Sequence, residues 1–325
     1  MNKLLRGVLA FAVILACGCE RTGPEEKISA APQGVVAVSL LTLNNPHFRQ
    51  IGESITQEGR RLGYETRVTS ADFDVAKQSA HVRKMIAEKV NAIVLSPCDS
   101  VAIGPVVREA NAAGIPVFTA DIACRAPDAK IVTHVATDNY GGGKQAAHAM
   151  IEALGDKGGR VAIIDHKLIE SCDLRVKGFK ELIAKHNAGR AEDKRLVIVA
   201  GQEQPGGASF EGGVRAATAL LQVEPRLDGV FAVNDPSALG AYSVLSKAGL
   251  AGRRVVLVGF DGSPDGKAAV DKGSLCATPI QYPDQIGLET MRAIVRHFKG
   301  EALPTEMLIP TSLYRRNNSQ GGGRE

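Results

Sequence analysis

Short apolar runs alternate with helix-period segments along almost the whole of this chain, and few folds accommodate that rhythm. The runs lie at residues 35–41, 66–69, 92–96, 117–120, 131–135, 161–164, 196–200, 229–233, 255–259 and 276–280. Between them, the segments 46–62, 74–88, 101–113, 139–155, 174–187, 209–222, 235–247, 263–272 and 284–298 carry apolar residues three and four apart, as in Phe48, Ile51, Ile55 and Leu62. Continuously apolar runs this short predict parallel strands with helices on both faces. Pro46, Asp74 and Asn234-Asp235-Pro236 stand where helices should start, and Gly63, Gly114, Gly249 and Gly300 where they should stop. The pattern falls into two blocks, about 35–136 and 139–280, joined only by the polar Thr137-Asp138-Asn139. The fold class is therefore α/β, as two closely apposed, Rossmann-like, doubly wound lobes.

The ends of the chain read differently. Residues 1–6 are basic, residues 7–16 are uncharged and apolar, and "ILACGCERTG" follows. This predicts a signal peptide over residues 1–19, since the apolar stretch is far short of the roughly 20 residues of a membrane span. A cysteine at the cleavage point is similar to a bacterial lipobox, with either Cys17 or Cys19 as the lipidated residue. Residues 20–33 then read as a flexible tether, and 317–325, at the end of "RRNNSQGGGRE", as a disordered tail. Such a leader implies an exported protein held at a membrane, in the bacterial periplasm or at the cell surface. Cys98, Cys124, Cys172 and Cys276 remain for the folded part, none at metal-ligand spacing, so no metal site is expected. Cys98 and Cys124 each follow an apolar run, where a disulfide between strand ends competes with two free thiols.

In doubly wound sheets, ligands bind beyond the carboxyl ends of the strands. Here those ends carry Asn44-Asn45, Ser96-Pro97-Cys98-Asp99, Asp121, Asp165, Asn234-Asp235, Asp261 and Gln281. Each alone serves as well for a turn or a helix cap. As a set, drawn from two lobes, they predict one polar cleft. With no tryptophan and 4% aromatic residues, a ligand there would be held more by hydrogen bonds than by stacking.

The segments "VSLLTLNNPHF", "LSPCDSVAI", "GIPVFTAD", "HVATDNYGGG", "FAVNDPSALGA", "VGFDGSPDG" and "ATPIQYPDQIG" resemble the periplasmic sugar-binding proteins of ABC transporters, the ribose-binding group above all, over about residues 35–309. The resemblance implies a type I periplasmic-binding-protein fold, LacI-like, with a three-segment hinge. It implies lobes made of 34–137 plus 282–309 and 138–281 plus 310–316. It further implies a monosaccharide clamped between them, delivery to a permease, a monomer, no cofactor and no catalysis. Carried over, the ligand residues are Asn45, Phe48, Asp121, Arg175, Asn234, Asp261 and Gln281, to which His47 adds a polar group of its own. The chain departs from the ribose-binding pattern at Leu41, His47 and Ile122, which stand for serine, phenylalanine and arginine. The second-lobe aromatic is unmatched, with Phe210 or Gln204 as substitutes. A different pentose, a hexose or another polyol is as well supported as ribose.

Other classes fit less well. Net charge is +4, with 39 basic and 35 acidic residues and no dense basic block, so nucleic acid is not expected. No GxSxG elbow or HExxH pair occurs, and "YGGGKQ" lacks the spacing of a phosphate loop. A LacI-type regulator would need a DNA-binding headpiece where the leader and tether lie. A sensor that reports a signal molecule to a membrane receptor remains as an alternative to import.

Overall fold

The computed structural model describes residues 33–167, 169–224, 226–250 and 254–316. The expected signal peptide with Cys17 and Cys19, all but the last residue of the tether, and the tail lie outside the described residues. The first sheet contains the buried strand β1 (Val35–Leu40), the more exposed β2 (Glu65–Ser70) beside it, and the buried strands β3 (Ala92–Leu95), β4 (Val117–Ala120) and β5 (His134–Thr137). The second contains β6 (Gly159–Asp165), β7 (Leu196–Pro205), β8 (Gly229–Ala232), β9 (Val256–Val258) and β10 (Ala277–Ile280). Two late edge strands, β11 (Glu306–Ile309) and β12 (Ser312–Arg315), complete them. The orders are β11-β5-β4-β3-β1-β2 and β12-β10-β9-β8-β6-β7, parallel except for β12. Both sheets thus repeat one winding, with the switch in strand order beside their first strands.

The helices are α1 (Pro46–Arg61), α2 (Val75–Ala87), α3 (Gly104–Ala112), α4 (Asn139–Leu154), α5 (Glu170–Asn187), α6 (Phe210–Val223), α7 (Asp235–Lys247), α8 (Pro264–Lys272) and α9 (Pro283–Phe298). Alternation along β1 divides its side chains between two cores. Val36, Val38 and Leu40 pack under α1 and α9, while Ala37 faces α2 and α3. Caps fix where chains turn at the cleft: Asn45 Oδ1 accepts from the His47 N–H (2.9 Å), and Asn234 Oδ1 from the Ser237 N–H (3.0 Å). Among the described residues no helix is long and apolar enough to cross a membrane.

Three segments pass between the sheets: β5 to α4, β10 to α9, and β11 to β12. The glycines of "YGGGKQ" have a packing role beside the first crossing. A Cβ on Gly143 would lie 2.1 Å from the Arg175 carbonyl oxygen, and one on Gly142 would lie 2.5 Å from the Phe260 ring. Their absence lets α5 and Phe260 press against α4.

Several boundaries differ from the sequence reading. β5 is found at His134–Thr137, starting three residues later than the run at 131–135, and it includes buried His134, bonded to Thr119 Oγ1 (2.9 Å). α5 starts at Glu170 rather than 174, since its N-cap Ile169 offers no side-chain signal. β11 and β12 were not expected, being half-exposed edge strands without an apolar run. Cys98 and Cys124 are free thiols, so the disulfide is not formed. Cys98 belongs to the core beneath α1, whereas Cys124 packs on the α2–α3 side of the sheet.

Gly143→Ala is expected to destabilise the protein by about 1–3 kcal/mol, because α5 must retreat from a packed core. Urea denaturation measures this, and a variant as stable as the parent would show that α5 moves without loss.

Candidate functional site

The residues that follow β1, β4, β6, β8, β9 and β10 converge where the two lobes face each other. Asn45, His47, Phe48 and Asp121 from the first lobe meet Arg175, Asn234, Asp261 and Gln281 from the second around one enclosed cavity. Its free volume is about 50 Å³, room for a few waters. The lobes touch across it, with Arg125 Nη2 bonded to Asp173 Oδ2 (3.0 Å) and the Glu170 N–H donating to Ser100 Oγ (3.3 Å).

Both carboxylates occupy the left-handed region of backbone space, with φ of 69° at Asp121 and 123° at Asp261. That conformation costs on the order of 1–3 kcal/mol for a residue other than glycine and persists where surroundings impose it. At Asp121 the N–H is held by the Val135 carbonyl (2.8 Å), at Asp261 by that of Pro279 (3.0 Å). Buried Asp235 braces the second turn by accepting from the Ser263 N–H (2.9 Å), Ser263 Oγ (2.8 Å) and Thr278 Oγ1 (2.7 Å). Burial and the nearby Asp261 charge push the Asp235 carboxyl up to about 7.

Arg175 is the centre of the second-lobe wall. Its Nε donates to Asn139 Oδ1 (2.8 Å), and its Nη1 to the Val233 carbonyl (2.7 Å) and Asp261 Oδ1 (3.3 Å). The guanidinium also stacks on Phe260, 3.9 Å from the ring centroid. Asp261 Oδ1 accepts from Gln281 Nε2 (2.7 Å), whose Oε1 accepts from Thr137 Oγ1 (2.8 Å). Asn139 Nδ2 closes the circuit on the Thr137 carbonyl (3.1 Å). Cavity-lining groups and two of the crossings thus share one ring of hydrogen bonds.

On the opposite wall His47 Nε2 lies 2.8 Å from Asp121 Oδ1. Burial opposes charge on His47, yet the charge and hydrogen bond of Asp121, with the charge of Asp261, hold its pKa above the ordinary value. Burial likewise opposes an ionised Asp121, and His47 overrides it, holding that carboxyl below its usual range. Asp261 is pushed up by burial, only partly relieved by Arg175 and His47. The site therefore sets a guanidinium and an imidazole against two carboxyl groups. Phe48 is buried, meeting the His47 ring edge to face at 5.2 Å while it also belongs to the core.

All eight residues expected from the sequence line this cavity. Phe210 does not: it is largely exposed at the start of α6, and Ala208 lines the second lobe there instead. The side chain of Gln204 lies outside the described residues. Sequence reasoning missed Phe73, His166, Ile169, Ser171 and Cys172. Phe73 and His166 each follow a strand, β2 and β6, so the strand-end rule applied evenly would have found them. Ile169, Ser171 and Cys172 come with the uncapped start of α5. Among the described residues no three His, Cys, Asp or Glu side chains are grouped to hold a metal ion.

Comparison with known proteins follows the same lines. A family model described as the periplasmic binding protein domain matches residues 36–302. The ribose import binding protein of Escherichia coli is 32% identical over 285 residues, covering 88% of this chain and 92% of that protein. A D-apiose import binding protein of Paraburkholderia graminis is 29% identical over 293 residues, covering 90% of each. A solved ABC transporter periplasmic solute-binding protein from Actinobacillus succinogenes, with bound D-allose, superposes with a TM-score of 0.76 at 26% identity. That match covers 87% of this chain and 98% of the other.

The His47–Asp121 pair gives the protein a pH signature. A histidine raised in the fold contributes stability that is complete below its unfolded value, about 6.5, and is lost as pH rises through the folded value. Asp121, held low, contributes above its unfolded value, about 3.9, and loses this as pH falls through the folded one. The stability difference between the parent and His47→Gln, from urea denaturation, is expected to be largest near pH 5–6.5 and to shrink toward pH 9. A constant difference would mean that folding leaves the His47 pKa where the unfolded chain has it.

Proposed function

The chain belongs to the periplasmic binding protein family and is a sugar-binding receptor of an ABC import system, not an enzyme; on that premise we propose that the cleft between its lobes closes on one neutral monosaccharide. The observation that carries this is the enclosed cavity in which Asn45, His47 and Asp121 face Arg175, Asn234, Asp261 and Gln281. Sugar hydroxyls donate and accept at once, and paired carboxylates, amides and a guanidinium fork answer both needs. With each carboxyl group bonded to a basic side chain, no group of either sign is left to demand an oppositely charged ligand.

The lobes, 34–137 plus 282–309 and 138–281 plus 310–316, would swing about the three crossings. A sugar touching both walls would stabilise the closed form by its differential affinity for it. The closed receptor, a monomer, would dock on a permease in the membrane. Lipidation at Cys17 or Cys19 would hold it at that surface.

Isothermal calorimetry of the purified protein against D-ribose, D-apiose, D-allose and other pentoses, hexoses, polyols and sugar phosphates tests the reading. Micromolar or tighter binding of one neutral sugar is expected, and silence from folded protein would sink it. Asp261→Ala should weaken that binding about 10- to 100-fold, as a buried charged acceptor is lost. Arg175→Ala should abolish binding and also destabilise the fold by about 3–5 kcal/mol, because it strands the Asp261 carboxylate. Urea denaturation reads the second effect.

A further inference from the structure

Phe73 is the one cleft residue whose exposure and backbone are both at odds with a packing role. It lines the cavity yet is 52% exposed, and its φ is 63°, following Asp72 at 53°. Two successive residues other than glycine in this region carry a steric cost that a flexible loop would relax. Here the loop is pinned. The Phe73 N–H donates to the Leu41 carbonyl (3.0 Å), Asp72 is bonded by Ser70 and Lys77, and Asp74 accepts from the Ala76 and Lys77 N–H groups at the start of α2. The backbone thereby holds Phe73 at the edge of the cavity, where its half-exposed ring gains little from burial in the protein itself.

Its neighbours on that wall are apolar as well. Leu41 and Ile122 line the same cavity and are 4% and 1% exposed, beside the His47–Asp121 pair. A hydroxyl directed at this patch would lose its water and meet no donor or acceptor. An aromatic face, by contrast, adds area and dispersion against C–H groups. We propose that Phe73 determines specificity in this cleft, and that with Leu41 and Ile122 it selects a monosaccharide presenting a hydroxyl-free edge, a deoxy carbon or a methyl group, to the first lobe. This rests on the reading of the cleft as a monosaccharide site.

Calorimetry with matched probes tests it: D-galactose against D-fucose, L-mannose against L-rhamnose, and D-ribose against 5-deoxy-D-ribose. One deoxy sugar is expected to bind at least about tenfold more tightly than its hydroxylated partner, and Phe73→Asn to cut that preference to threefold or less. Phe73→Gly accepts the positive φ without strain. It should weaken the preferred sugar at least about fivefold while its thermal midpoint stays equal to the parent's or rises by up to about 3 °C. Hydroxylated sugars bound as tightly as their deoxy partners, or more so, would overturn the inference alone, as would a Phe73→Gly affinity within twofold of the parent. A folded parent protein that binds no sugar would overturn the monosaccharide reading, and this inference with it.

Discussion

The buried guanidinium of Arg175 is the interaction on which the second-lobe wall of the cleft depends. A cation out of water is costly unless neighbours replace its hydration, and here Asn139, Val233, Asp261 and the Phe260 face do so. Each of those partners sits at a different place in the fold: a crossing, the end of β8, and the turn after β9. Satisfying one charge therefore fixes three separate pieces of chain relative to α5. The glycines of α4 make this possible, since a side chain at 143 would force the Arg175 backbone outward.

The opposite wall is built on another principle. There His47 and Asp121 neutralise each other within one lobe, and the surrounding side chains are apolar. The second lobe thus presents groups bound to its own scaffold, while the first presents an ion pair and hydrocarbon. Backbone strain runs through both walls, at Asp72, Phe73, Asp121 and Asp261. In each case local hydrogen bonds hold the chain where side-chain preference alone would not, so the positions of these groups are set before any ligand arrives.

Much of this was legible in the sequence. Continuous apolar runs gave ten strands and periodic segments nine helices, because both signals come from burial on a fixed repeat. The polar groups at strand ends were legible because a doubly wound sheet puts its strand termini on one side. What escaped had no such signal. The half-exposed edge strands β11 and β12 bury too little to show a run. The competing roles of Asn45 and Asn234 could not be separated from sequence, and the structure shows both as caps at the cavity. Phe73 escaped for a different reason: an aromatic residue in a left-handed turn contradicts local preference, and only the assembled cleft explains its placement.

The ring joining Arg175, Asp261, Gln281, Thr137 and Asn139 also bears on how such a receptor diversifies. Replacing any of these side chains would break a hydrogen-bonded ring that ties two of the crossings together. Positions on the other wall carry no such double duty, since Leu41, His47, Phe73 and Ile122 lie outside the ring. Substitution is thereby less costly to the scaffold on one half of the cleft than on the other.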